Sequence, residues 1–165
     1  MGPFRGLLLF KLGALVGMMG AAAFVRHTVP SRGDEDSEEL DLVAVFDGID
    51  LKSRAAGFRG GSMLAWFGGI TVDLREVELA PRAQLSVNTL FGGIAIKTPP
   101  GWRIESKLKA LVGGVDAPAP NHDEPDSPVL TVTGSAIFGG IAVTARAAAD
   151  DPARAAAAQN GEPHD

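Results

Sequence analysis

The sequence predicts an all-β fold: a single-stranded, right-handed β-helix (β-solenoid) of about five coils, preceded by one transmembrane α-helix. Three observations predict it. A four-residue phrase occurs five times at spacings of 21 to 26 residues, strand-like alternation follows the phrase, and an apolar run lies near the amino terminus. Repeats with periods of about 20 to 50 residues are typical of solenoids, in which each repeat forms one coil.

The repeated phrase is an aromatic or aliphatic residue, two small residues and an aliphatic residue. When the five copies are aligned, the third residue is always glycine and the fourth is always β-branched. Glycine suits a corner at which φ is positive or a Cβ would collide with the next coil, so we expect the glycine pair at the corners. The residues that carry this structural repeat are Phe46, Gly48, Phe67, Gly69, Phe91, Gly93, Gly114, Phe138 and Gly140, with Val112 in place of phenylalanine in the fourth copy.

Alternating apolar residues after the phrase, as in Ile70-x-Val72, predict strands with one buried face. We expect successive coils to pair as parallel strands, with one column of phenylalanine and one column of isoleucine inside the core. An antiparallel β-sandwich or meander is the alternative, because turn residues also recur at short intervals. The solenoid is favoured because whole columns match over coil-length periods.

The amino-terminal segment predicts a membrane anchor at residues 1–28. Gly6 to Val25 is nearly all apolar, and 20 helical residues span the roughly 30 Å hydrocarbon core of a bilayer. Gly13 and Gly17 stand four residues apart, which lets a second helix pack closely. A cleaved signal peptide is the alternative, with Ala21–Ala23 as its small-residue cleavage site. The chain is therefore expected in the cell membrane as a single-pass protein, with the side of its soluble domain left open.

Three further segments complete the predicted domain organisation. Residues 29–39 form an acidic linker that is expected to remain solvated. The solenoid occupies residues 40–146 and is interrupted at 117–128 by a proline-rich, acidic inserted loop. Residues 147–165 form an alanine-rich tail, expected as a short helix or a disordered end.

The composition argues against several classes of activity. The chain has no cysteine, three histidines outside the predicted strands, and a net charge of −5 without the basic face that nucleic acid requires. Its acidic residues do not repeat in register, which disfavours an enzyme acting on polysaccharides. We therefore predict no enzyme activity, no cofactor and no metal site. Trp102, which follows a Pro-Pro-Gly turn, and His122, in the inserted loop, are the candidates for a contact surface.

One longer pattern resembles a known family. Leu90 to Ile96 is followed by Pro99-Pro100-Gly101-Trp102 and then by two further copies of the glycine phrase. This pattern resembles the carboxy-terminal, Toastrack-related domain of the LiaF-like, cell-wall-active antibiotic response family, over about residues 42–146. The resemblance implies a β-solenoid attached to membrane segments, with no known enzyme activity. LiaF-like proteins carry several membrane helices before this domain, whereas this sequence predicts one.

These observations lead to two expected functions. The first is a membrane-anchored, non-catalytic binding or regulatory module in the bacterial envelope stress response. Its partners would be the membrane and another membrane or envelope-stress protein. The alternative is a structural scaffold that self-associates end to end through its coils, as bactofilins do, because the ends of a solenoid offer open strand edges.

Overall fold

The computed structural model describes residues 31–119 and 126–147, which form an all-β parallel solenoid that is nearly closed on itself. The predicted anchor helix Gly6–Val25 with Gly13 and Gly17, the loop residue His122 and the tail from residue 148 onward lie outside the described residues. Within the two described ranges, no helix is long and apolar enough to cross a membrane. The seven strands are β1 (Glu39–Val45), β2 (Gly48–Lys52), β3 (Ala56–Trp66), β4 (Gly68–Asp73), β5 (Glu78–Thr98), β6 (Arg103–Asp116) and β7 (Val129–Ala145).

The strands form five rungs that stack in parallel register. Rung one consists of β1 and β2, rung two of β3 and β4, and the remaining three are the long, bent strands β5, β6 and β7. Each glycine phrase lies beside the equivalent phrase of the next rung: Ile49 faces Ile70, Ile70 faces Ile94, and Ile94 faces Ile141. The alignment of columns predicted from the sequence is therefore the physical register of the sheet.

The order of the rungs differs from the expected succession along the chain. The strand β5 pairs with β7, and β7 pairs with β6, so that the last rung in sequence lies between the third and the fourth. Burial explains this order, because the rung at the end of the stack has one uncovered side. β7 contributes Leu130 and Val132, both fully buried, whereas their partners on β6 are the buried Ile104 and the exposed, polar Ser106. The more apolar strand gains more from two neighbours.

The core fills the space between two sheet faces and a less regular third side. On the face after the corner, Ile70, Ile94 and Ile141 are buried in one column, as predicted. Each fully buried isoleucine stabilises the fold by about 1.5 to 3 kcal/mol through removal of apolar surface from water. On the face before the corner the innermost position is small, as at Ala65 and Ala136, because the two faces converge there.

The first rung is covered by the acidic segment that was expected to be a solvated linker. Arg32 and Asp41 exchange backbone hydrogen bonds of 2.6 and 2.8 Å. The backbone carbonyls of Glu35 and Glu38 accept from the amides of Arg54 and Arg59, and the same pairs of residues form salt bridges. The Arg32 bonds, with those between Ser31 and Val43, satisfy the outer edge of β1, whereas the bonds of Glu35 and Glu38 join this segment to the second coil.

The glycine phrase makes the tightest contacts between rungs. The second residue of the phrase, not the invariant third, is the one that has no room for a side chain. A Cβ on Gly92 would lie 1.9 Å from the carbonyl oxygen of Gly68, and one on Gly139 would lie 2.0 Å from that of Gly92. A Cβ on the invariant Gly93 would meet nothing closer than 3.8 Å. The backbone at the corner therefore excludes a side chain at the second position only.

The same contact explains the one copy of the phrase that departs from the double glycine. A Cβ added to any second-position glycine would point at the preceding rung of the stack. On Gly68 this Cβ would lie 2.2 Å from the carbonyl oxygen of Asp47. Asp47 belongs to the first rung, which no other rung of the described ranges precedes, and this position accepts a side chain. An aspartate in the phrase thus marks the start of the stack.

A pair of adjacent glycines tests this assignment. Gly139→Ala is expected to lower the free energy of unfolding by about 2 to 4 kcal/mol, because its Cβ collides with a backbone carbonyl and its φ is +155°. Gly140→Ala, whose Cβ would lie 3.5 Å from its nearest neighbour, is expected to change stability by less than about 1 kcal/mol. Thermal and urea unfolding of both variants would measure the difference. Equal destabilisation would contradict the assigned roles.

Candidate functional site

The phenylalanines of the phrase lie on the surface of the solenoid, whereas we expected them inside it. Phe46 is 54% exposed, Phe138 is 44% exposed and Phe91 is 36% exposed. In the first two rungs the cause is the backbone: Phe46 and Phe67 have φ values of 53° and 57°. This left-handed conformation turns the chain at the phenylalanine, and the following isoleucine enters the core instead.

The four phenylalanine rings form a continuous ladder along the solenoid. Phe46 stacks on Phe67 at 5.0 Å, Phe67 on Phe91 at 4.6 Å and Phe91 on Phe138 at 4.9 Å between ring centroids. These distances match the spacing of roughly 4.8 Å between strands, so the ladder is a direct consequence of the register. Val112 pairs with Phe138 and continues the ladder onto the β6 rung. We call these five residues the aromatic ladder.

A shallow groove runs beside the aromatic ladder. It encloses about 580 Å³ and its floor is the row of third-position glycines, Gly69, Gly93, Gly140 and Gly114. These glycines leave backbone exposed because they project no side chain outward. The invariant third-position glycine of the phrase therefore forms the floor of this groove. The other border of the groove carries Thr71, Ala95, Ala142 and Asp116.

The carboxylates near the groove are not arranged for glycoside hydrolysis. Asp50 and Asp116 occupy the same column of the repeat, one on the first rung and one on the β6 rung. Four strand spacings separate them, about 19 Å, whereas the two carboxylates of a glycosidase lie about 5 to 10 Å apart. Among the described residues there is also no group of three histidine, cysteine or acidic side chains that could hold a metal ion.

Trp102, one of the two residues predicted to form a contact surface, lies in the core. It is 9% exposed and packs with the buried cluster that includes Ile104. The Pro-Pro-Gly turn before it directs the indole inward on the third side of the solenoid. The second predicted contact residue, His122, is outside the described part of the chain. The sequence did not identify the ladder as a surface, because aromatic residues that recur once per coil are also the usual pattern of a packed core.

The least exposed ion pair in the described ranges has a structural role. Asp73, at the end of β4, is 8% exposed and accepts hydrogen bonds from Nε and Nη2 of Arg75 at 2.8 and 2.5 Å. Arg75 also donates to the backbone carbonyl of Ala147, which follows β7. Hydrogen bonding to Arg75 lowers the pKa of Asp73 below its ordinary value. The pair therefore fastens the end of β7 to β4.

Comparison of the chain with known proteins finds no match. No protein-family model, no curated protein and no solved structure matches the chain.

The Asp73–Arg75 pair predicts a pH dependence of stability. A carboxyl whose folded pKa is lowered stabilises the fold above its unfolded pKa of about 3.9, and this contribution is lost as the pH falls through the folded value. Asp73→Asn should therefore cost about 2 kcal/mol at pH 7 and progressively less below pH of about 4. Urea unfolding across pH 2.5 to 7, roughly the range of this linkage, would measure it. Asp50→Asn, at an exposed position, is the control and should change stability little; a pH-independent loss for Asp73→Asn would contradict the prediction.

Proposed function

We propose that the solenoid is a non-catalytic binding module and that the aromatic ladder with its glycine groove is the surface that contacts a protein partner. The observation that carries this proposal is a line of four stacked phenylalanines, three exposed and Phe67 partly exposed, which the exposed Val112 extends. Contiguous exposed apolar surface is uncommon on soluble domains and marks interaction sites.

The conformation of the ladder supports a role beyond folding. Phe46 and Phe67 adopt a left-handed backbone conformation that costs an L-residue about 1 to 2 kcal/mol. Burial of their rings in the core does not offset this cost, because Phe46 is half exposed and Phe67 partly so. Stacking between rings returns about 0.5 to 1.5 kcal/mol per pair and holds the side chains in fixed positions. A rigid row of this kind loses little conformational entropy when a partner binds.

The groove indicates the shape of the partner. Its bare glycine floor admits backbone or aliphatic side chains close to the sheet, and the surface is long and narrow. Carboxylates stand near its two ends, at Asp50 and Asp116. We therefore infer a protein partner with an elongated apolar ridge flanked by basic residues. An anionic membrane surface is a poorer fit, since these carboxylates would face it.

The cellular setting of the proposal rests on the sequence. The apolar segment Gly6–Val25 supports a single-pass membrane anchor, and the resemblance to LiaF-like domains supports a regulatory role in envelope stress. The end-to-end scaffold remains the alternative function. It requires an open edge at each end of the solenoid, and at the first rung Ser31 and Arg32 cover the β1 arm, whereas β2 pairs with β4 alone among the described strands.

Photo-crosslinking tests the ladder as a contact surface. Replacing Phe91 or Phe138 with p-benzoylphenylalanine keeps the ring and should give one discrete cross-linked protein in the cells that make this chain. The same substitution at Gln84, an exposed residue on the other face of the rung that carries Phe91, is the control and should give none. Phe46→Ser combined with Phe138→Ser should reduce cross-linking at Phe91 by about tenfold. Equal cross-linking at Gln84 would contradict the proposal.

Membrane fractionation tests the anchor separately. The full chain should stay in the membrane pellet after extraction with alkaline carbonate, because about 20 apolar residues insert effectively irreversibly. Leu9→Arg with Val16→Arg should release the chain into the soluble fraction, since arginine within an apolar span costs about 2.5 kcal/mol or more. Recovery of the unaltered chain in the soluble fraction would rule out the anchor and leave the ladder proposal intact.

A further inference from the structure

The β6 rung ends the stack and leaves a strand edge open. β6 hydrogen-bonds to β7 along one side, and no described strand lies along its other side. Two large apolar side chains at its centre are strongly exposed, Leu111 at 77% and Val112 at 52%. An open strand edge that carries apolar side chains favours the addition of another strand. The opposite end differs, because Ser31 and Arg32 hydrogen-bond to Val43 and Asp41 along the edge of β1.

We propose that β6 pairs antiparallel with β6 of a second copy of this chain, about a two-fold axis that passes between Leu111 and Val112. The axis then runs through the corner of the rung. It places the arm before the corner of one copy on the arm after the corner of the other. When the two-fold axis bisects the bend, both arms of one β6 lie along both arms of the other. A pairing centred elsewhere on β6 does not align both arms.

The sequence of β6 is chemically symmetric about this axis. Outward from the centre, Leu111 faces Val112 of the second copy, Ala110 faces Gly113, Lys109 faces Gly114, Leu108 faces Val115 and Lys107 faces Asp116. Aliphatic residues thus meet aliphatic residues, Ala110 meets Gly113 and the outer pair has opposite charges; Lys109 opposite Gly114 is the one pair of unlike residues. Opposite charges directly across an antiparallel pair stabilise it, and like charges destabilise it.

The side-chain directions agree with this register. Facing residues of an antiparallel pair project to the same side of the sheet. Lys107 and Asp116 are both exposed, whereas Leu108 and Val115 are both partly buried towards the core. The paired strand β7 locates an interruption of the inward and outward alternation at the same place, because its consecutive residues Ile137 and Phe138, which lie beside Leu111 and Val112, are both exposed. Because this interruption coincides with the proposed axis, both arms keep matching directions.

Neighbouring registers lack this agreement. A pairing centred on Leu111 places the exposed Lys107 opposite the partly buried Val115, and one centred on Val112 places the partly buried Leu108 opposite the exposed Asp116. The proposed register also covers the open end of the core at Leu108. Because Val112 ends the aromatic ladder at the axis, the ladders of the two copies would join into one strip of twice the length. The capped first rungs then face outward, and the assembly closes as a dimer.

Disulfide trapping tests the register in the full chain, which has no cysteine of its own. The double variant Lys107→Cys, Asp116→Cys should oxidise to a covalent dimer, seen on non-reducing denaturing gels. A disulfide needs Cα atoms within about 7 Å, and these two positions lie nine residues apart along a strand within one chain. Each single variant is a control and should remain monomeric, because its thiols lie at opposite ends of the paired segment. A monomeric double variant, a single variant that cross-links equally well, or a ladder of species larger than dimer would overturn the proposal.

Charge reversal tests the same pairing without a covalent bond. Asp116→Lys places two lysines opposite each other twice in the dimer and should weaken dimerisation by about tenfold or more. Adding Lys107→Asp to that variant restores opposite charges and should recover the original dimerisation constant. Asp50→Lys, in the same column on the first rung, is the matched control and should leave dimerisation unchanged. Sedimentation of the purified full chain in detergent would measure all four proteins. Failure of the double variant to recover, or an equal loss in Asp50→Lys, would refute the register.

Discussion

The close approach of backbone to backbone at each corner is the constraint on which the rest of the structure depends. The second residue of the phrase lies so near the carbonyl oxygen of the preceding rung that even a methyl group is excluded, as at Gly92 and Gly139. This contact allows the strands to bend together without losing register. Pairing in register then brings every column of the repeat together, residue upon residue. The buried isoleucine column, the aromatic ladder and the glycine groove are three results of one backbone geometry.

That geometry also separates folding from recognition within a four-residue phrase. The fourth residue enters the core, as Ile94 does, and the second maintains the spacing between rungs. The first and third residues face solvent and contribute little that the core requires. A phenylalanine at the first position creates an exposed aromatic row, and a glycine at the third creates a channel beside it. Repetition over five rungs turns two small surface features into an extended surface.

Much of the fold could be predicted from the sequence, because periodicity reports register directly. The parallel all-β solenoid, the rungs and the buried isoleucine column followed from aligned columns. The phenylalanine column did not, since its position relative to the core depends on where the corner takes a positive φ, which is at Phe46 and Phe67 in the first two rungs and at Gly92 and Gly139 in later ones. Spacing along the sequence does not encode this. The order of β6 and β7 was likewise hidden, because both phrases keep the double glycine and the β-branched fourth residue, which fit either order. Within the repeated phrase, Asp47 was the one residue that indicated which rung begins the stack. This can be recognised only from the structure, in which Gly68 lies against the carbonyl oxygen of Asp47.

The two ends of the stack are chemically unequal, and this inequality bears on how the solenoid can associate. At the first rung, Asp47 occupies the position that glycine holds elsewhere, and hydrogen bonds from Ser31 and Arg32 satisfy the edge of β1. A further rung added in register on that side would therefore meet a covering segment. At the other end β6 keeps glycine at position 113 and carries its large apolar residues at the corner. Head-to-tail growth joins one end to the opposite end, so a single covered end is sufficient to stop it. Association through like ends needs only the open one, and the geometry of the stack therefore favours a closed pair over a filament.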